Sequence, residues 1–65
     1  LGYIGKGDSL RMLGKYEEAV QNYSIAISTE ANLASVALLK RGIAFIELKA
    51  YENALDDFDQ VVLQI

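Results

Sequence analysis

Residues 2–9 read G-x-x-x-x-G-D-S, one position away from the glycine-rich loop that cradles nucleotide phosphates. Asp8 stands where that loop needs a lysine. The charge is reversed and no strand-like run precedes the segment, so phosphate binding is disfavoured. Glu52, Asp56, Asp57 and Asp59 crowd the last helix, and carboxylates can hold a hard cation. Helical spacing scatters them over a wide arc with no loop to wrap an ion, so a solvated outer face is expected instead. Asn22-Tyr23-Ser24 has the form of a glycosylation acceptor. Tyr23, however, lies on the apolar stripe of a regular helix, which argues against modification there. Tyr3, Tyr16, Tyr23 and Tyr51 could form a stacking surface, yet all four fall on packing positions and are expected to be structural. The serines, lysines and carboxylates make no nucleophile–base constellation, so no catalytic, cofactor-binding or metal-ligating residue is assigned.

Composition narrows the field in the same direction. The chain has 65 residues, 52% of them apolar, enough for a core in one small domain. Folding at this size buries only roughly 60% of the unfolded chain's surface, which leaves a lone domain marginal. The absence of cysteine excludes disulfides and thiolate chemistry, and the absence of histidine removes the usual general base. Six basic against nine acidic residues give a net charge of −3, which disfavours a nucleic-acid partner. No apolar run approaches the ~20 residues of a membrane span, so membrane insertion is not expected.

The elements follow from an internal duplication. Displacing the sequence by 35 positions lays Gly7 on Gly42, Tyr16 on Tyr51, Ala19 on Ala54, Tyr23 on Phe58 and Ile27 on Val62. Tyr3, Ile4, Leu10 and Leu13 then meet Leu38, Leu39, Phe45 and Leu48, so size class is kept as well as polarity. Within each copy the apolar residues recur at steps of three and four. Tyr16, Ala19, Val20, Tyr23, Ala26 and Ile27 make one helical stripe, and Tyr51, Ala54, Leu55, Phe58, Val61, Val62 and Ile65 repeat it. Segments 3–13 and 36–48 supply a second helix in each unit. Gly14 is placed as a left-handed helix stop. Lys49-Ala50 fills the corresponding turn without glycine, so that turn is expected to be less sharply specified. Glu30-Ala31-Asn32 links the units. The predicted fold is all-α, two antiparallel helix–turn–helix hairpins over residues 1–33 and 34–65. Gly7 with Ala19, and Gly42 with Ala54, form notches where helices close, and Tyr23, Leu10, Phe45 and Phe58 fill the space beside them.

These spaced residues resemble the tetratricopeptide repeat, a helical hairpin of about 34 residues. Tyr3, Gly7, Leu10, Gly14, Tyr16, Ala19, Tyr23 and Ala26 match the pattern in the first unit. Leu38, Gly42, Phe45, Tyr51, Ala54 and Phe58 match it in the second. Lys49, Val61 and Ala31 depart from it at the turn glycine, the last small residue and the closing proline. The resemblance covers essentially the whole chain. It implies hairpins stacked as a segment of a right-handed α-solenoid, with a concave groove that binds peptides or partner proteins.

On the helical wheel Val36, Leu39, Ile43 and Ile46 form a further apolar stripe beside Leu38, Gly42 and Phe45, leaving a narrow polar arc around Lys40 and Glu47. In the resembling family this face lines the groove. Its first-unit counterparts are Leu1, Ile4, Asp8 and Arg11, so an apolar ridge beside a polar edge is expected, either open to a partner or covered by another part of the same polypeptide. Chaperone-binding members of that family grip a terminal carboxylate with lysine and asparagines. Only Lys40 matches here and Asp8 opposes it, so such a clamp is disfavoured. The net charge and the acidic last helix point to apolar, amphipathic or basic ligands over acidic ones. Val61, Val62, Leu63 and Ile65 close the sequence without a polar cap, so flanking repeats or another copy of the chain are expected at the ends. The leading functional expectation is a non-enzymatic protein-interaction scaffold. The alternative is a stacking or oligomerisation element with no separable ligand.

Overall fold

A computed structural model describes residues 2–63. Leu1 and Ile65, named above as a groove and a stripe position, lie outside the described residues. Four helices follow one another: α1 Tyr3–Met12, α2 Tyr16–Thr29, α3 Ala34–Glu47 and α4 Tyr51–Leu63. No strand occurs among the described residues. Consecutive helices pack together, α1 on α2, α2 on α3 and α3 on α4, while α1 touches α3 only lightly. This is the all-α arrangement of two hairpins expected from the duplicated stripe. The linker is itself helical, a 3₁₀ turn over Ala31–Leu33.

Helix starts use charge and tertiary contacts in place of local caps. Glu17 and Glu18 occupy the first turn of α2 and Glu52 that of α4, where carboxylates meet the positive end of the helix dipole. Gly2 precedes α1 and has no side chain to cap with. Glu30, from the linker, takes that role by accepting the Tyr3 amide at 3.3 Å.

Packing is set by small residues. Ala19, Ala26, Ala37, Ala44 and Ala54 are buried, and one cluster joins Ala19 and Tyr23 of the first hairpin to Ala44 of the second. Both glycine notches are present. A Cβ on Gly7 would lie 2.5 Å from the Tyr23 ring, and one on Gly42 would lie 2.5 Å from the Phe58 ring. Each helix pair therefore approaches to the point where a single methyl group does not fit.

Two expectations are corrected by the backbone and by burial. The second turn is as sharply built as the first. Gly14 has φ +80°, and its neighbour Lys15 donates to Leu10 at 2.8 Å while Gly14 donates to Arg11 at 3.0 Å. Lys49 adopts φ 61°, with Ala50 donating to Phe45 at 2.8 Å and Lys49 to Ile46 at 2.9 Å. The same pair of bonds closes both helices, so backbone satisfaction overrides the side-chain cost of a left-handed lysine. Lys49→Gly is expected to stabilise the chain by about 1 kcal/mol. In a thermal melt followed by circular dichroism that is a rise of about 4–8 °C.

The tyrosines divide. Tyr23 is wholly buried, but Tyr51 is 62% exposed and Tyr3 lies at the exposed edge. Their positions are equivalent in pattern and unequal in cover, because α4 packs only on α3 whereas α2 is flanked on both sides. Tyr51, Leu55 (59%) and Val62 (66%) are open, while their counterparts Tyr16, Val20 and Ile27 are partly buried.

Candidate functional site

The α1/α3 face carries the residues that the stripe analysis grouped. Val36, Leu39 and Ile46 are exposed along α3, and Ile43 between them is partly buried. Glu47 is exposed at the end of the helix. Ile4 turns partly inward and packs against the Ala19–Tyr23–Ala44 cluster, so it serves the core as well as the face.

Beside the ridge lies a polar network assembled from three helices. Tyr23 reaches from α2 beneath Gly7, and its hydroxyl donates to Asp8 Oδ1 at 2.6 Å. Lys40 Nζ of α3 donates to Asp8 Oδ2 at 2.6 Å, and Arg11 Nε donates to Tyr23 Oη at 3.2 Å. Arg11 Nη2 stands 3.7 Å from Asp8 Oδ1, one helical turn away. Both carboxylate oxygens of Asp8 are thus engaged and α1 is tied to α3, although the two helices barely touch through their backbones. The second unit has Ile43, Ile46 and Phe58 where the first has Asp8, Arg11 and Tyr23. The face is therefore half polar and half apolar by substitution of one repeat against the other.

Partial burial works to raise the Asp8 pKa, but hydrogen bonds from Lys40 and Tyr23 and the charges of Lys40 and Arg11 outweigh it and hold the carboxyl below its usual value. Burial, aided by the bond to Asp8, pushes the Tyr23 hydroxyl up. A general base at neutral pH needs a raised carboxyl, and Asp8 is shifted the other way, while its bonds tie α1, α2 and α3 together. The depressed folded value has a linkage consequence of definite sign. Asp8 stabilises the fold fully above about pH 4, the unfolded carboxyl's value, and that stability is lost as pH falls through the folded value. Asp8→Asn is therefore expected to lower stability at pH 7 and to flatten the decline as pH falls below about 4. Urea titrations of both proteins across that range measure it.

A second network was missed by the sequence reading. Asp57, expected on the solvated face of α4, is buried at 2% exposure. Arg41 Nε and Nη2 donate to its two oxygens at 2.9 and 2.7 Å, a two-pronged ion pair between α3 and α4. Arg41 Nη1 also donates to Ser24 Oγ of α2 at 3.0 Å. The available signal was position: Asp57 falls between Ala54 and Phe58 on the buried side, and Arg41 precedes the notch glycine. Asp56, Asp59 and Glu52 remain exposed as expected. Residues 2–9 form no loop, since they run into α1 with Gly7 under the Tyr23 ring.

Among the described residues no three His, Cys, Asp or Glu gather in a group that could hold a metal ion. No helix among them is long and apolar enough to cross a membrane. Residues 36–64, the span of the second hairpin, match the family model of the tetratricopeptide repeat. No curated protein and no solved structure gives a match.

Proposed function

We propose that this chain, which belongs to the tetratricopeptide-repeat family by its second hairpin, is a protein-interaction scaffold that receives a partner segment on the α1/α3 face. Family members generally mediate protein–protein interaction, and the finer assignment rests on one observation. Val36, Leu39 and Ile46 stand uncovered in a row beside the Asp8–Lys40–Arg11 network. An apolar ridge bordered by fixed charge combines desolvation with orientation, the usual division of labour in peptide recognition.

Leu39→Ser with Ile46→Ser tests this assignment, because both side chains are exposed and their loss leaves the core intact. Each is worth about 1 kcal/mol of burial on docking, so partner capture from cell extract is expected to fall at least tenfold with an unchanged helical spectrum. Unchanged capture would overturn the assignment of the face.

A second reading has its own support in Tyr51, Leu55 and Val62. Their first-unit counterparts are partly buried on a helix that packs against the following hairpin, so α4 is fitted to stack against a further hairpin, either of a longer array or of another copy. Tyr51→Ser with Leu55→Ser is the matching control, disrupting stacking and leaving capture by the α1/α3 face in place.

A further inference from the structure

The fold divides charge by helix. α2 and α4 carry Glu17, Glu18, Glu52, Asp56, Asp57 and Asp59 and no base, whereas α1 and α3 carry Lys6, Arg11, Lys40 and Arg41 against Asp8 and Glu47. The net charge of −3 is therefore a property of α2 and α4 and does not describe the face that carries the ridge. Within that basic pair the charges are not equally available. Arg41 is engaged by Asp57, Lys40 by Asp8, and Lys6 lies over the Tyr3 ring at 5.0 Å.

Arg11 is different. Its Nε is held by Tyr23 Oη at 3.2 Å, and Nη2 lies 3.7 Å from Asp8, beyond hydrogen-bond reach. Asp8 already accepts from Lys40 and Tyr23, so the Asp8–Lys40–Arg11 group carries one positive charge in excess. A guanidinium oriented through Nε, with Nη2 only in a long ion pair to an already engaged Asp8 and Nη1 in no hydrogen bond, suits a carboxylate approached in two-pronged geometry. We infer that the segment received on the α1/α3 face is an acidic amphipathic one from a partner protein, its apolar side chains on Val36, Leu39 and Ile46 and an aspartate or glutamate on Arg11. The inference rests on the assignment of that face as the recognition surface. It reverses the expectation, drawn from total charge, that acidic ligands are the poorer candidates.

Two synthetic peptides with one apolar pattern, flanked by glutamates in the first and by lysines in the second, provide the test in fluorescence-anisotropy titrations. The glutamate peptide is expected to bind at least tenfold tighter at low salt. Arg11→Gln should remove most of that preference and Arg11→Glu should invert it, with folding checked by circular dichroism. Equal binding of the two peptides, or a preference untouched by both variants, overturns the inference and leaves the recognition face standing. Binding of neither peptide by the folded chain removes the recognition face, and the inference falls with it. Helix α4 of a second copy is itself acidic and amphipathic, so the peptide-free chain is also sedimented. Self-association abolished by Arg11→Glu would overturn the assignment to a separate partner.

Discussion

Replacing Gly7 with alanine is expected to destabilise the chain by about 2–3 kcal/mol, more than the same change at Gly42, although alanine is the better helix former. Helix propensity alone favours alanine by about 1 kcal/mol. Against it stands the Tyr23 ring, with three carbons 2.5, 2.7 and 2.9 Å from the position of the new methyl. Overpacking of a tight interior typically costs about 1–3 kcal/mol, and the cost depends on whether the neighbour can yield. Tyr23 cannot yield easily, because it is wholly buried and its hydroxyl is fixed by Asp8 and Arg11. Moving the ring would break both bonds and loosen Asp8, the carboxylate partner of Lys40. Phe58 stands equally close to Gly42 but has no polar anchor and is only partly buried, so it can shift toward solvent. In a domain of this size the Gly7→Ala loss corresponds to a drop in melting temperature of at least about 8 °C. Tyr23→Leu should shrink the Gly7→Ala penalty in a double-mutant comparison. A melting temperature raised by Gly7→Ala would show that the notch is not filled as described.

These notches were legible because close helix approach restricts residue size, and size is written directly in the sequence. Gly7, Ala19, Gly42 and Ala54 repeat at one displacement, and the aromatic residues beside them repeat with them. The Lys49 turn was not legible. Its conformation is fixed by the two backbone bonds that end α3, and those bonds do not depend on the side chain that must tolerate them. Tyr51 exposes a different limit. Periodicity identifies the stripe to which a residue belongs but not whether another helix covers it, and α4 has a neighbour on one side only. On the α1/α3 face the ridge was visible as a second apolar stripe and Asp8 with Arg11 as its polar edge, yet not the bonds that organise that edge. Its organisation depends on Tyr23 rising from another helix to meet Asp8, a contact spanning 15 positions. Total charge was equally blind, since it sums two faces that the fold separates.

Asp57→Asn is expected to cost about 2–4 kcal/mol, whereas the double change Arg41→Met with Asp57→Leu should be nearly neutral. The asymmetry comes from desolvation. Removing one member of a buried ion pair strands the other charge, with losses of about 3–5 kcal/mol when burial is complete. Arg41 keeps 21% of its side chain in contact with solvent and retains Ser24, so the asparagine variant falls around and somewhat below the lower end of that range. The Asp57 side chain keeps only 3%, so Arg41→Met alone should be the more damaging single change. Replacing both by apolar residues of similar volume removes the desolvation cost together with the attraction. Chemical denaturation of the wild type, Arg41→Met, Asp57→Leu and their combination measures the coupling, and additive losses would refute an interdependent pair. Near-neutrality of the double variant would also locate what the pair contributes. Arg41 touches α2 through Ser24 and α4 through Asp57, so it fixes how α3 sits against its two neighbours. A core made mostly of alanines and glycines, with Tyr23 and Leu38 its large buried side chains, offers few interlocking contacts to set that registration, and a directional three-helix bond supplies it without adding net stability. The double variant should therefore keep its melting temperature while showing broader amide resonances along the α2–α3–α4 contacts.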